Sequence, residues 1–194
     1  MNINGITKQF VEKGFKVVPE VTDDRFSMYN DGSIECETGE LLYGFIKRLK
    51  PTNVLETGCY KGWGAAYIGA GLKTNGFGHV ETLEIDEGLI RESQELWNKL
   101  ELREWITATR IESLKFEPSS QYQFIFLDTE PMIRWAELEK FFPYLVEGGY
   151  VFIHDVPRTM TQGNINPDHP NFSSWPFGDI SQNFKNLVNG GRLT

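Results

Sequence analysis

The sequence has little of what marks several common classes of protein. Its two cysteines, Cys36 and Cys59, look unpaired and lack the spacing of metal ligands. It contains no charged-then-apolar leader and no run of the roughly 20 apolar residues that a membrane span needs. These absences predict a cytoplasmic protein without a membrane partner.

Clustered positive charge is also scarce. The 194 residues carry a net charge of −8, and acidic residues are spread along the chain. Nucleic-acid binding needs a clustered basic face. The one local basic cluster, residues 47–50, lies at the end of a predicted helix, where cations suit the helix dipole and the solvent. We therefore expect no nucleic-acid partner.

The length and composition fit one folded domain. With 194 residues, 40% of them hydrophobic and 24% charged, the chain has room for one full core and little room for a second. We expect a single domain over residues 1–194, in which residues 1–37 form a polar N-terminal leader.

Apolar strand-like runs alternate with helical patterns along the rest of the chain. The spacing predicts helices over 39–50, 64–72, 87–100 and 131–146, and strands over 53–57, 79–85, 105–109, 122–128 and 148–155. Strands this apolar are covered on both faces, and the alternation implies βαβ crossovers. The prediction is an α/β fold with a Rossmann-like, doubly wound and mostly parallel sheet, whose ligands bind at the carboxyl ends of the strands.

A glycine-rich turn follows the first of these strands. In "NVLETGCYKGWGAA", residues 53–66, Gly58, Gly62 and Gly64 leave the turn open to close approach by a ligand. Glu84 ends the second strand, 20 positions after Gly64, where a carboxylate is placed to bind two ribose hydroxyls. The pair of features predicts a nucleoside-type cofactor.

The glycine spacing also bears on which cofactor this is. A dinucleotide site needs G-x-G-x-x-G, whereas this turn has G-x-x-x-G-x-G and is crowded by Tyr60 and Trp63. The turn therefore favours a ligand without phosphates.

These residues resemble a known family. "VLETGCYKGWGAA" is similar to the first motif of class I S-adenosylmethionine-dependent methyltransferases, particularly the catechol-type O-methyltransferases. Six residues match that motif position by position: Glu56, Gly58, Tyr60, Gly62, Trp63 and Gly64. "TLEIDE", "FIFLDTE" and "LVEGGYVFIHDV" resemble later strand ends of the same fold. The last of these looks closest to a group that includes macrolide-sugar O-methyltransferases and cephalosporin-hydroxylase-like proteins.

The resemblance, which covers roughly residues 37–157, implies an activity and a cofactor site. The activity is methyl transfer from S-adenosylmethionine, with a hydroxyl of a small molecule or sugar as acceptor. The methionine end of the cofactor would lie over residues 58–62 and the ribose at Glu84. Further cofactor contacts are expected from Ile85, Arg110, Ile111, Glu112 and Asp128.

Three residues at strand ends are candidates for the chemistry. Asp128 and Asp155 end neighbouring strands and are placed to share a Mg²⁺ ion, because hard oxygen ligands suit that cation. His154 is the alternative, as a general base. The sequence departs from the catechol-type pattern here, since Val156 stands where an Asn is expected and "DTEPM" lacks the expected lysine.

Two other functions stay open at this point. A degenerate, non-catalytic S-adenosylmethionine-binding domain would tolerate these departures. A Rossmann-type nucleotide-dependent oxidoreductase would require nicotinamide binding, and the absent G-x-G-x-x-G disfavours it.

The C-terminal part carries two further expectations. Residues 157–179 are rich in Pro, Asn and aromatics, including Trp175 and Phe177, and suggest a loop that covers the substrate. The resemblance also implies a final strand hairpin, and the chain stops where it would begin, so we expect these strands to be missing. The uncovered sheet edge predicts a homo-oligomer, with Phe177, Phe184 and Leu187 at the contact.

Overall fold

The computed structural model describes residues 5–19, 26–30 and 32–154. The predictions for Asp155, for the loop over residues 157–179 and for the C-terminal contact fall outside this part of the chain.

A five-stranded parallel sheet forms the centre of the described structure, in the order β5-β4-β3-β6-β7. Its strands are β3 (Asn53–Thr57), β4 (His79–Glu84), β5 (Ile106–Arg110), β6 (Tyr122–Leu127) and β7 (Leu145–Ile153). Two short strands, β1 (Val18–Pro19) and β2 (Ser27–Met28), pair separately. The helices are α1 (Gly5–Glu12), α2 (Cys36–Leu49), α3 (Trp63–Asn75), α4 (Glu87–Leu100) and α5 (Arg134–Phe141). The Rossmann-like, doubly wound fold is confirmed.

Both faces of the sheet are covered, as its apolar strands predict. One buried cluster joins α2, α3 and α4 to the sheet through residues such as Ile46, Tyr67 and Trp97. The other joins α5 to the opposite face through Leu138 and Phe141. This two-sided burial leaves the carboxyl ends of the strands as the place where a ligand can bind.

The N-terminal residues are not the polar leader that the sequence predicted. Helix α1 buries Ile6 and Phe10 in the main core cluster, and α2 begins at Cys36, three residues earlier than expected. Tyr29 stacks on Trp63 with ring centroids 3.5 Å apart and an interplanar angle of 5°. Apolar residues are about as frequent before position 37 as in the whole chain, and the i, i+4 spacing of Ile6 and Phe10 is a helical signal that contradicts a polar leader.

The predicted helix over residues 131–146 is too long at both ends. Helix α5 begins at Arg134 and ends at Phe141, a 3₁₀ turn follows, and β7 begins at Leu145. Pro143, which lacks an N–H, lies in that 3₁₀ turn. The pairing of β6 with β7 is irregular at its start: Tyr122 pairs with Leu145, but Phe124, two residues later, pairs with Tyr150, five residues later. Gly148, which has a φ of 73°, lies in this stretch of β7. This irregularity hides the start of the strand in the sequence.

None of the helices within the described ranges is long and apolar enough to cross a lipid bilayer.

Candidate functional site

A cavity of about 1040 Å³ opens at the carboxyl edge of the sheet, at the upper end of the range usual for small-molecule sites. One part, which we call the turn half, is lined by the turn after β3 and by the ends of β4 and β5. Its polar and apolar lining includes Gly58, Tyr60, Glu84, Ile85 and Ile111. The other part, the histidine half, is lined by Glu35, Asp128, Arg134 and His154.

The turn after β3 requires glycine where it meets the loop after β6. Gly58 has a φ of 81°, and a Cβ built on it would lie 2.4 Å from the main-chain oxygen of Asp128. A side chain at this position would therefore force the two loops apart. Gly58 is the point at which the turn half and the histidine half of the cavity touch.

Gly62 serves the turn in a different way. It has a φ of 79° and precedes the first residue of α3, and its carbonyl oxygen accepts a hydrogen bond of 2.9 Å from Nε1 of Trp97. A Cβ at Gly62 would lie 2.7 Å from the Cβ of Ser93. Gly62 therefore faces helix α4 and does not line the cavity.

Glu84 is held in place by backbone amides. Its Oε2 accepts a hydrogen bond of 2.7 Å from the N–H of Tyr60, which ties the end of β4 to the glycine turn. Its Oε1 accepts from the N–H groups of Ile85, at 2.7 Å, and Asp86, at 3.0 Å. Each carboxylate oxygen accepts about two hydrogen bonds, so Oε2 retains capacity for a ligand hydroxyl.

Glu56 lies beneath the turn and does not line the cavity. It is 1% exposed and accepts a hydrogen bond from the Thr82 hydroxyl. A Cβ at Gly64 would lie 2.3 Å from its Oε1, so the carboxyl packs directly under the start of α3. Burial raises the pKa of Glu56 well above its usual range, and the charges of Asp128 and Glu84 raise it further. Glu56 is therefore positioned to support the turn.

Most of the site residues expected from the sequence line the cavity. They are Gly58, Tyr60, Trp63, Gly64, Glu84, Ile85, Ile111, Glu112, Asp128 and His154. Besides Glu56 and Gly62, Arg110 is not among the lining residues; its Nη1 lies 3.0 Å from Oε2 of Glu87 in an exposed ion pair. The sequence does not show this, because residues at a strand end point to either side of the sheet edge.

His154 stands between two carboxylates in the histidine half. Its Nδ1 lies 2.8 Å from Oδ1 of Asp128, and its Nε2 lies 2.9 Å from Oε2 of Glu35. The same Glu35 oxygen accepts a hydrogen bond of 2.8 Å from the Thr38 hydroxyl. Burial by itself raises the pKa of Glu35, but the hydrogen bond and charge of His154, helped by Thr38, outweigh burial and lower that pKa to about 2.

A buried arginine completes this group. Arg134 is 3% exposed, and its Nη2 lies 3.2 Å from Oδ1 of Asp128. Its Nε donates a hydrogen bond of 2.8 Å to the carbonyl oxygen of Thr129, and its Nη1 donates to the carbonyl oxygen of His154. The guanidinium thus joins the loop after β6 to the end of β7.

Glu137, a second buried residue of α5, hydrogen-bonds to the ends of two strands that carry the two halves of the cavity. Glu137 is fully buried, and its Oε2 accepts hydrogen bonds of 3.1 Å from the Thr57 hydroxyl and 2.7 Å from the Thr129 hydroxyl. These two threonines follow or end the central strands β3 and β6. Burial is the main cause that raises the pKa of Glu137.

Of the two predicted Mg²⁺ ligands, Asp128 and Asp155, only Asp128 lies in the described ranges, and its contacts do not favour a cation. Oδ1 of Asp128 already contacts both His154 and the Arg134 guanidinium. Within the described ranges no group of three or more His, Cys, Asp or Glu side chains is arranged to hold a metal ion. A divalent cation on Asp128 would stand beside a buried positive charge.

Two residues of the histidine half were missed by sequence reasoning. Glu35 lies in the stretch interpreted as a polar leader, 119 positions from His154, and no local pattern connects the two. Arg134 gave a signal that was overlooked, because it is a basic residue six positions after Asp128 in "DTEPMIRW". Only its burial shows that it belongs to the site.

The arrangement is that of the class I methyltransferase fold, and comparison with known proteins identifies the family. A family model described as "Methyltransferase domain" matches residues 55–156, which are 102 of the 194 residues. The chain therefore belongs to this methyltransferase domain family, and the resemblance seen in the sequence is confirmed. A comparison with curated proteins found no significant match.

Solved structures of methyltransferases share the fold. The S-adenosylhomocysteine-bound methyltransferase PaMTH1 of Podospora anserina has a TM-score of 0.63 and 17% identity, over 98% of this chain and 88% of that one. The O-methyltransferase of Bacillus cereus, in complex with S-adenosylhomocysteine, has a TM-score of 0.66 and 18% identity, over 82% and 72% of the two chains. TomG of Streptomyces achromogenes, an O-methyltransferase in complex with S-adenosylmethionine, has a TM-score of 0.65 and 14% identity, over 82% of this chain and 71% of that one. At these identities the likeness establishes the fold.

Proposed function

We propose that this domain transfers a methyl group from S-adenosylmethionine to a hydroxyl of a small molecule or sugar. The observation that carries the proposal is one continuous cavity with Glu84 in its turn half and the His154–Asp128 pair in its histidine half. Membership of the methyltransferase family and the cofactors bound by structures of the same fold support it.

The turn half suits the cofactor. S-adenosylmethionine, when bound, supplies a methyl carbon activated by a positively charged sulfur. The carboxylate of Glu84, fixed by backbone N–H groups, retains capacity on Oε2 to accept a hydrogen bond from a ribose hydroxyl. Ile85 and Ile111 offer apolar surface for the adenine, and the turn at Gly58 leaves backbone groups open to the methionine end. Glu112 lines the same space, and Asp128 of the histidine half meets it at Gly58.

The histidine half suits the acceptor and its proton. In the transfer the acceptor oxygen bonds to the methyl carbon, the carbon–sulfur bond breaks with its electron pair left on sulfur, and the hydroxyl proton leaves. We assign that proton to Nε2 of neutral His154, where the acceptor hydroxyl takes the position that Oε2 of Glu35 holds 2.9 Å from that nitrogen; the imidazolium formed then pairs with the Glu35 carboxylate. Asp128, on the other ring nitrogen, orients the imidazole and stabilises its protonated form.

The wall beside these groups is apolar. Phe26, Met28 and Ile34 line it, which supports an acceptor with an apolar body. We further propose that residues 1–194 act as a single domain in the cytoplasm. A homo-oligomer stays a prediction.

A degenerate domain that binds the cofactor without turnover is the second candidate. The departures from the catechol-type pattern, Val156 and the absent lysine, favour it. The described contacts of His154 favour catalysis instead, because a domain that only binds cofactor gains nothing from an imidazole oriented on both sides. A nicotinamide-dependent oxidoreductase is not favoured by the glycine spacing or by the family.

Two measurements test the proposal. Calorimetry should show that the protein binds S-adenosylhomocysteine and does not bind NAD. Binding of NAD would support the oxidoreductase. Radiolabelled S-adenosylmethionine should then transfer label to members of a panel of hydroxyl compounds. His154→Asn should lower turnover by about 10²–10⁴-fold while cofactor affinity stays within threefold, because a general base acts in the transition state. Cofactor binding with no transfer to any acceptor would favour the degenerate domain.

A further inference from the structure

We propose that Arg134 is a built-in cation of the histidine half, which takes the place of the divalent metal expected at Asp128. It acts as a positioning residue, through Asp128 and His154, for the methyl transfer proposed above. The inference predicts that Asp128 binds no divalent metal ion while Arg134 is present. This can be measured without any turnover, so the inference and the proposed function can fail separately.

The first step is the way the guanidinium is fixed. Its three nitrogens each contact a different partner: the carboxylate of Asp128, the carbonyl of Thr129 and the carbonyl of His154. The planar fork of arginine suits such a set of fixed acceptors, and an ammonium group does not reproduce it. With 3% of the residue exposed, water cannot replace these contacts.

The second step concerns charge near a helix end. Arg134 is the first residue of α5, where the helix dipole disfavours a cation. Local helix electrostatics therefore do not explain a buried guanidinium at this position. The Asp128 carboxylate, with Nη2 3.2 Å from its Oδ1, does explain it.

The third step concerns competition for Asp128. A Mg²⁺ ion bound to Oδ1 would lie about 2.1 Å from that oxygen and hence within roughly 5 Å of the guanidinium. Arginine cannot lose its proton to relieve the repulsion. Oδ1 also contacts Nδ1 of His154, so a metal on this oxygen would displace a contact that orients the imidazole.

The consequence for function is that Asp128 is neutralised by the protein itself. Arg134 holds the carboxylate toward His154 and holds the main chain of His154 toward α5. Methyl transfer should then proceed after all divalent metal has been removed, and the geometry of the histidine half should depend on the guanidinium.

Mn²⁺ binding to the full chain tests the inference, and it is measured with and without S-adenosylhomocysteine. The readout is the electron paramagnetic resonance signal of free Mn²⁺, which decreases when the ion binds. We expect the wild-type protein and Asp128→Asn to bind Mn²⁺ equally, which means that Asp128 contributes nothing to Mn²⁺ binding by the wild type. Arg134→Met should gain Mn²⁺ binding at Asp128, and Asp128→Asn in that background should remove it. Binding of Mn²⁺ to the wild type that depends on Asp128 would overturn the inference, whether or not Arg134→Met folds.

Turnover supplies the second arm. Wild-type activity should survive EDTA, whereas Arg134→Met should lower kcat by about 100-fold with cofactor affinity within threefold. Arg134→Lys keeps the charge without the fork and should recover only part of the loss. Arg91→Met, on an exposed position of α4, is the matched control and should behave as wild type. Turnover that EDTA abolishes and Mg²⁺ restores would contradict the inference. A wild type that neither binds S-adenosylhomocysteine nor transfers methyl would instead count against the proposed function.

Discussion

The two halves of the cavity are held together in different ways. In the turn half, backbone groups make the key contacts: the N–H groups of Gly58 and Cys59 donate to the carbonyl oxygen of Leu83 at 3.1 and 3.0 Å, and the N–H of Tyr60 donates to Glu84. In the histidine half, four ionisable side chains contact one another in the order Glu35, His154, Asp128, Arg134.

The difference affects how each half responds to change. Backbone hydrogen bonds in the turn do not titrate, and the turn half contains one ionisable contact at Glu84, whereas every contact along the chain of four ionisable groups depends on the protonation of its members. The turn half also comes from one short stretch and its neighbouring strands. The histidine half needs a contact between Glu35 and His154 that spans 119 positions.

The largest effect is expected where the two halves touch. Gly58→Ala places a methyl group 2.4 Å from the Asp128 carbonyl oxygen at a φ of 81°. We expect the free energy of unfolding to fall by about 2–4 kcal/mol, because backbone strain and a steric clash add. Cofactor affinity should fall as well. Denaturant unfolding and calorimetry with S-adenosylhomocysteine measure the two effects.

Gly44→Ala is the matched control for that substitution. Gly44 lies in helix α2, and a Cβ on it would meet nothing within 4 Å. Since alanine favours a helix over glycine by about 0.5–1 kcal/mol, this variant should be slightly more stable than wild type. If both alanine variants behave alike, the close approach at Gly58 does not constrain the site.

A smaller effect is expected within the turn half alone. Glu84→Ala removes the carboxylate assigned to the ribose and should weaken binding of S-adenosylhomocysteine by roughly 1–3 kcal/mol, since charge-assisted hydrogen bonds are lost. Turnover at saturating cofactor should change less. Glu95→Ala, on the exposed face of α4, controls for the change in net charge. Unchanged affinity in Glu84→Ala would contradict the assignment.

The smallest effect on stability is expected from Glu35 in the histidine half, and it should depend on pH. The pKa of Glu35 is lowered to about 2, so its ionised form stabilises the fold fully above its ordinary pKa of about 4.5, and this stabilisation is lost as pH falls through about 2. Histidine is ordinarily protonated throughout this acid range. We expect Glu35→Gln to cost about 1–2 kcal/mol at pH 6, discounted for partial exposure, and almost nothing near pH 2.

A double-mutant cycle isolates that interaction. In a His154→Asn background, Glu35→Gln should lose most of its pH-dependent cost, because the contact at Nε2 no longer exists. Urea unfolding at several pH values measures all four proteins. A pH-dependent cost that persists without His154 would assign the low pKa of Glu35 to another partner.

The sequence predicted the sheet better than the segments around it. The apolar run of β3 lies between Pro51 and Gly58, and Asp86 caps the start of α4; both are local signals, so β3 over Asn53–Thr57 and α4 over Glu87–Leu100 have the predicted bounds. The predicted helix over 131–146 begins earlier and ends later than α5 does in the structure. The C-terminal end of α5 is set by the 3₁₀ turn at Pro143 and by the irregular start of β7. Neither leaves a periodic pattern.

The sequence by itself determined the fold, the family and the turn half of the site. Glycine spacing, the strand that precedes it and an acidic residue at the next strand end are properties of one βαβ unit, and such a unit forms from neighbouring residues. The positions of Gly58 and Glu84 follow from that unit once the strands pair in parallel.

Only the tertiary structure decided the histidine half. Asp128 and His154 were candidates as strand ends, but their partners Glu35 and Arg134 come from a segment before α2 and from the start of α5. Whether a carboxylate holds a metal or a guanidinium depends on which charge is buried beside it. Burial is set by the packing of distant segments, and no spacing along the chain reports it.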